Sequence, residues 1–222
     1  MPAQLVESLE LDVEAFLEAE GDAFSRPRLR SLAVWAIEEA RPLIRPALIY
    51  DWFPVNGKTG SQLTVGGVPL HLGGHAELLD RAVEALVGVA TIGPLLEERA
   101  RSLAQQDRTL EAYVLGEVGV FAVGLLAKRL HTIAEEEAGR RGWGVGAELA
   151  PGQLAGWDVR EQVLLCGLLD LAVIGVAVTE TGLLLPEKSV SLLVGIGPDY
   201  EATKVESPCQ YCARAGECRW KH

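Results

Sequence analysis

ELAPGQLAGWDVREQVLLCGLLDLAVIGVAVTETGLLLPEKSVSLLVGIG, residues 148–197, carries the signals that decide the fold. Asp158 with Glu161 three positions later has the form of a capping box, in which acidic side chains satisfy the amides a first helical turn leaves unpaired. A helix is therefore predicted from there to about Leu171. Val173–Val178 is continuously apolar and β-branched, the pattern of a short strand covered on both faces. Thr179–Gly182 turns the chain. From Ser189 the pattern alternates: Val190, Leu192, Val194 and Ile196 share one face, Ser189, Ser191, Leu193 and Gly195 the other. The first face is core. The second is small and partly polar, fit either for close approach of a ligand or backbone, or for cover by a helix.

Towards the N-terminus, residues 4–20 place Leu5, Leu9, Val13, Phe16 and Leu17 at helical spacing between acidic residues. Ser25 is a good N-cap for a second helix, with Pro27 in its first turn and an end before Pro42. Ala47–Val55, Ser61–Val65 and Val68–Leu72 read as three strands joined at Asn56-Gly57 and Gly66-Gly67. A helix over Ala76–Leu86, a strand over Val87–Ile92 and a return to helix after Gly93-Pro94 follow. Thr91-Ile92-Gly93 is then a strand-to-helix turn whose amides could meet a ligand, or an ordinary connection. Asp107 is placed to cap a long helix reaching about Gly139, with Gly116, Gly119 and Gly124 allowing close packing and Glu117 at a rim. Arg140–Gly146 reads as a linker.

Gly57-Lys58-Thr59 is not a phosphate loop, because Trp52 stands where the motif needs its first glycine. His71 and His75 flank two glycines, so they are not held on one helical turn as a metal pair would be. Cys166 falls at helical spacing with Val163 and Leu169 and reads as a small core residue. The 31 acidic and 20 basic side chains give a net charge of −11, which opposes binding to nucleic acid or anionic membranes. No run reaches the roughly 18 uninterrupted apolar residues of a membrane span. The acidic N-terminus lacks signal-peptide character, and a cytoplasmic location is expected. No triad, P-loop or carboxylate pair suggests catalysis.

Pro151-Gly152, Trp157, Gln162, Thr179-Glu180-Thr181, Pro186 and Ser189-Val190-Ser191, with Thr91-Ile92-Gly93 ahead of them, resemble the activation domain of cobalamin-dependent methionine synthase, and stand-alone proteins like it. The resemblance implies a domain that binds S-adenosylmethionine and covers a corrinoid with oxidised cobalt, so that an electron and a methyl group restore it. It makes Pro151, Gly152, Thr179, Glu180, Ser189 and Ser191 the expected ligand-binding residues, and a corrinoid-binding protein or methionine synthase the expected partner. The corrinoid itself is carried by that partner. Glu148 and Gln153 stand where the synthase domain has an arginine and a tyrosine, and Val194 where it has a second tyrosine. A carboxylate in place of a guanidinium repels a ligand carboxylate.

The chain closes on Cys209, Cys212 and Cys218, with His222 four residues later. A C-x2-C pair can wrap one metal; His222 can complete a Cys3His zinc site, or three thiolates can hold an iron-sulfur cluster. The expected architecture is a single α+β domain over residues 1–197, an antiparallel-rich mixed sheet flanked by helices, followed by a Cys-rich tail over residues 198–222. Two functions fit: a corrinoid-protein reactivation or docking factor accessory to the methyltransferase, or a non-catalytic metal-binding interaction module.

Overall fold

A central antiparallel ladder organises the protein. A computed structural model describes residues 4–5 and 9–212. Strands β1 (Gln4–Leu5), β2 (Ala47–Thr59), β3 (Gln62–Val65), β4 (Val68–His71), β5 (Glu84–Thr91), β6 (Gly144–Leu149) and β9 (Ser189–Gly197) form one sheet, and β7 (Ala177–Val178) pairs with β8 (Leu184–Leu185) in a separate ribbon. The large sheet runs β4-β3-β2-β5-β9-β6, with β1 on β2. Its strand pairs are all antiparallel, and a parallel bridge joins Ala147 to Glu206. β5 is paired on both sides along its whole length, from Pro54↔Glu84↔Ile196 to Ala47↔Thr91↔Ser189. That pairing explains why Glu84 to Leu86 are strand and not the end of a helix: two ladders outweigh local helix propensity. The preceding segment is a 3-10 stretch, Gly73–Leu79.

The alternation read in β9 is real, and each face has its own cover. Leu192, Val194 and Ile196 join Leu86, Ala90 and Leu48 in a core beneath α1 (Val13–Glu20), α2 (Pro27–Ala40), α3 (Leu95–Gln105) and α4 (Thr109–Arg141). Leu193 lies on the other face with Val87, Trp157, Leu154 and Leu165, under short irregular elements. Among the described residues, α4 alone is long and apolar enough to cross a membrane. Its Val118, Ala122, Leu126 and Leu130 are instead spent on the first core. Close packing on α4 needs Gly119, where a Cβ would sit 2.9 Å from Leu96, but not Gly116 or Gly124, which have nothing within 4 Å.

Several sequence-based expectations give way to tertiary context. The first helix starts only at Val13, because Asp12 caps it by accepting from the Ala15 amide at 2.7 Å. The second begins at Pro27 with Arg26 as N-cap, since Ser25 closes the 3-10 turn before it, its hydroxyl donating to the Asp22 carbonyl. The β2–β3 hairpin turns at Gly60-Ser61 and not at Asn56-Gly57, where the ladder shifts register. Asp107 adopts φ 61° and does not cap α4, whose N-cap is Arg108. Glu117 is buried, 9% exposed, and engaged with a neighbour. Arg140 and Arg141 finish α4, and Gly144 to Gly146 enter β6, so the expected linker is helix end and edge strand.

The helix opened by Asp158 is short. A 3-10 turn, Val159–Glu161, leads into α5 (Gln162–Cys166), which stops at Gly167. Val173–Val178 is not a buried strand: Leu171–Ile174 is a 3-10 turn, Gly175 is left-handed, Val173 is exposed, and only Ala177-Val178 pair, in the small ribbon.

Candidate functional site

Of the predicted ligand residues, Ser189 lines a cleft of about 430 Å³ on the irregular face of the sheet, together with Gln162, Gly182, Leu183, Leu184, Leu185 and Glu187; Pro151, Gly152, Thr179, Glu180 and Ser191 do not line it. Its shape follows from the β7–β8 hairpin. The Thr179 amide donates to the Leu183 carbonyl at 2.8 Å and the Gly182 amide to the Thr179 carbonyl at 2.9 Å. The Thr179 hydroxyl receives the Leu183 amide and pairs with the Thr181 hydroxyl, both at 2.9 Å. Thr179 is therefore spent on building the turn, while Glu180 stands exposed at its tip. Gly182 is required twice over: φ is 84°, and a Cβ would lie 2.2 Å from the Val159 carbonyl oxygen. The same Val159 side chain approaches Gly152, which links the Pro151-Gly152 turn to the hairpin.

Pro151 is buried, and the turn it opens is closed by the Gly152 amide donating to the Trp157 carbonyl at 2.9 Å. Glu161 fixes this turn to the sheet. Its carboxylate accepts from the His71 amide at 2.8 Å and the Trp157 indole at 3.1 Å, and meets the His71 ring at 3.0 Å. Asp158 caps the Arg160 amide, and the Arg160 guanidinium beside it holds its carboxyl down at about 2. The reciprocal half of a capping box is missing, because Glu161 is engaged elsewhere. His71 meets Glu161, and the His75 ring lies tilted at 60°, 5.7 Å from the Tyr211 ring.

Ser189 reaches the cleft wall. Its hydroxyl lies 2.7 Å from the Pro186 carbonyl and 2.8 Å from the buried Thr91 hydroxyl, which in turn accepts from the Gly93 amide at 3.1 Å. The Ile92 amide donates to the Lys188 carbonyl. Two of the amides that made Thr91-Ile92-Gly93 a candidate anion site are thus consumed internally, and the turn is an ordinary connection. Ser191 does not line the cleft. It is buried against the Cys166 thiol in a contact short of hydrogen-bond geometry; burial pushes that thiol up to about 12, against the downward pull of the hydroxyl, so Cys166 is inert core.

Glu148 is not aimed at the cleft. A register shift in β6 between Val145 and Glu148 puts both on the helical side, where the Glu148 carboxylate meets His131 Nε2 of α4 at 2.5 Å. Gln153 keeps a buried Oε1 without a partner.

Gln162 belongs to the family resemblance but was not among the expected ligand-binding residues, and Leu183, Leu184 and Leu185 were in neither. Gln162 shares a helical stripe with Leu165 and Cys166, and a lone amide in an otherwise apolar stripe was the available signal. It is 7% exposed, and nothing among the described residues hydrogen-bonds its side chain.

The metal prediction falls partly outside the described residues, where Cys218 and His222 lie. Cys209 and Cys212 are half-buried, the first inside a 3-10 turn, Pro208–Tyr211, capped by the Ser207 hydroxyl, and the second immediately after it. Residues 198–206 bring them back along β6, with Val145 donating to the Ala202 carbonyl at 2.8 Å and Glu148 to that of Glu206 at 3.1 Å. Cys212 then bridges Leu154, and the Tyr211 carbonyl accepts from the Ala155 amide at 3.0 Å. No cluster of three or more metal-ligating side chains occurs among the described residues.

No protein-family profile and no curated protein matches this chain. Among solved structures it is similar to the MetH reactivation domain bound to AdoHcy, with a TM-score of 0.62 over 91% of this chain and 81% of that one, at 17% identity. The fold is that of a MetH reactivation domain. This agrees with the α+β architecture and with the resemblance carried by residues 151–191.

Proposed function

We propose that this protein is a docking and reactivation factor for a corrinoid-carrying, methionine synthase-type partner, and that it takes an S-adenosylmethionine-class ligand in the Gln162–Ser189 cleft. The observation that carries the reading is the surface around that cleft. Val159, Val163, Leu164, Val173, Leu183 and Leu185 are between 41% and 60% exposed, and all lie on α5 and the turns and hairpin beside it. Elsewhere among the described residues only Val34, Val83 and Tyr113 are large, apolar and similarly exposed. Clustered apolar exposure on an otherwise charged surface marks an interaction site. A corrin face is flat and apolar with amides at its edge, which suits a leucine-rimmed cleft. The likeness to a reactivation domain holding AdoHcy supports both halves of the proposal.

Such docking is expected to be weak, because a reactivator must leave before turnover resumes. The net charge of −11 disfavours nucleic acid as the partner. Calorimetry with a corrinoid-carrying methionine synthase domain tests the surface: Val163→Asp with Leu185→Asp, both at exposed positions, should abolish binding and leave the unfolding midpoint unchanged. Undiminished binding by that variant would refute the assigned face.

A second reading, a metal-binding interaction module, is favoured by the return of Cys212 to Leu154, beside the Pro151–Trp157 turn. Cys209, Cys212 and Cys218 would hold an iron-sulfur cluster, or with His222 a zinc ion, on the cleft side of the sheet. Visible absorption of the purified protein, together with its iron and zinc content, separates these alternatives. Colourless protein with stoichiometric zinc and no affinity for the corrinoid domain would select the module.

A further inference from the structure

We infer that Cys209 and Cys212 are a reversible dithiol–disulfide pair, oxidised and reduced by exchange with low-molecular-weight disulfides and thiols. The two residues stand three apart at the 3-10 turn Pro208–Tyr211. The Cys212 amide donates to the Cys209 carbonyl at 3.4 Å, which closes the turn. A closed four-residue turn keeps its end Cα atoms within about 7 Å, and a disulfide spans about 4.4–6.8 Å between Cα atoms. Side chains three apart in a 3-10 turn also eclipse one another. The bond can therefore form without rearranging the backbone. Both residues are half-buried and within reach of a small oxidant. Cys166, by contrast, is 1% exposed, and burial pushes its thiol up to about 12, so it takes no part.

The turn is held in place from both sides. Upstream, Tyr200 pins the chain along the β6 edge, its hydroxyl donating to the Leu78 carbonyl at 2.7 Å. It occupies room that glycines leave: a Cβ on Gly144 would lie 2.2 Å from the Tyr200 carbonyl oxygen, and one on Gly195 2.8 Å from its hydroxyl. Further along, Glu135 of α4 accepts from the Val205 amide at 2.9 Å and from Lys204 at 2.6 Å, and the Ser207 hydroxyl accepts from the Cys209 amide at 3.3 Å. Downstream, the Ala155 amide donates to the Tyr211 carbonyl at 3.0 Å and Cys212 bridges Leu154. The fold thus sets the approach of the two residues before any bond forms.

In the forward direction one thiolate attacks a disulfide RSSR, giving a protein–SR mixed disulfide and releasing one RS⁻. The other thiolate then attacks the protein sulfur and expels the second RS⁻. The protein gives up two electrons and two protons, and RSSR becomes two RSH; excess RSH runs the same steps backwards. Closure consumes both thiolates that a C-x2-C metal site needs, so disulfide and metal exclude each other at this pair. The exchange involves neither a corrinoid nor an adenosyl ligand and stands apart from the docking reading.

For the test, the full chain as purified is equilibrated with glutathione at a series of oxidised-to-reduced ratios, quenched with acid, alkylated with N-ethylmaleimide in denaturant and digested with trypsin. Lys204 and Arg214 bound a peptide, residues 205–214, that contains Cys209 and Cys212 and neither Cys166 nor Cys218. With rising oxidised glutathione this peptide should pass from two maleimide adducts to none, two hydrogens lighter than its dithiol form, and dithiothreitol should restore both adducts. The equilibrium constant should be roughly tenfold larger in native buffer than in concentrated urea, because the folded turn has already met the loop-closure cost. Cys218→Ser should change neither result, and Cys209→Ser should leave Cys212 with a mixed disulfide at most. Two adducts at every ratio, a Cys212–Cys218 link in place of the internal one, equal constants in buffer and urea, or iron or zinc that shields both thiols would each overturn the pair. Any of these failures would leave the docking reading standing, and a failure to bind a corrinoid domain would leave the pair standing.

Discussion

Replacing Glu161 by alanine should cost more stability than any other single polar substitution at the cleft's base. The carboxylate is 16% exposed and is bonded to the His71 amide, the His71 ring and the Trp157 indole, so it ties β4, the Pro151–Trp157 turn and the start of α5 together. The His71 ring is 55% exposed and its contact contributes little. The other two are hydrogen bonds to a charged acceptor, worth about 1.5–3 kcal/mol each. Trp157 is 2% exposed, so its N–H would be left without water as well as without a partner. Glu161→Ala is therefore expected to lose about 3 kcal/mol in urea unfolding followed by far-UV circular dichroism, and Glu161→Gln, which keeps one acceptor oxygen, about half of that. Combining Glu161→Ala with Trp157→Phe should be less damaging than the sum of the two by about 1–2 kcal/mol, since both remove the same bond. Additive effects, or a Glu161→Ala loss below about 1 kcal/mol, would show that the carboxylate is not the tie.

Gly182→Ala should destabilise by about 2–4 kcal/mol, from the positive φ and the clash with the Val159 carbonyl, and should weaken S-adenosylhomocysteine binding in calorimetry. Glu148→Arg should lower the unfolding midpoint without improving that affinity, because the side chain faces His131 on the helical side; tighter ligand binding would contradict the placement. Burial pushes the Glu135 carboxyl up, but the Lys204 ammonium and the Val205 amide outweigh it and hold it below the usual 4.5. A depressed folded value means stability that is present above about 4.5 and lost as pH falls through the lower value. Lys204→Met should therefore flatten the acid limb of stability against pH, measured as urea midpoints between pH 7 and pH 3.

What could be read from the sequence was what strict periodicity imposes. The two-residue alternation from Ser189 to Gly197 gave both faces of β9 correctly, and the hairpin turn at Gly66-Gly67, the Pro27 start of α2 and the helix after Gly93-Pro94 were recognisable from their punctuation, whereas Ser25 and Asp107 were misplaced as caps. Where two kinds of signal competed, the global pairing decided. Glu84 to Leu86 became strand because β2 and β9 both needed partners there. Val173 to Val178 carried strand-like residues but no neighbour in the large sheet, and Gly175 broke it. The site was legible as a set of turns and serines, while its interior was not. Thr179 and Ser191 serve the scaffold, Glu148 was turned away by a register shift no pattern announces, and the place of Leu183, Leu184 and Leu185 at the cleft became visible only once the hairpin was formed.

The most direct measurement is the visible spectrum of an oxidised corrinoid-carrying methionine synthase domain, with a reductant, before and after addition of this protein. The account predicts a shift in the cobalt bands that saturates with added protein and is lost with the Val163→Asp, Leu185→Asp variant. An unchanged spectrum at saturating concentration, with or without S-adenosylmethionine, would contradict it.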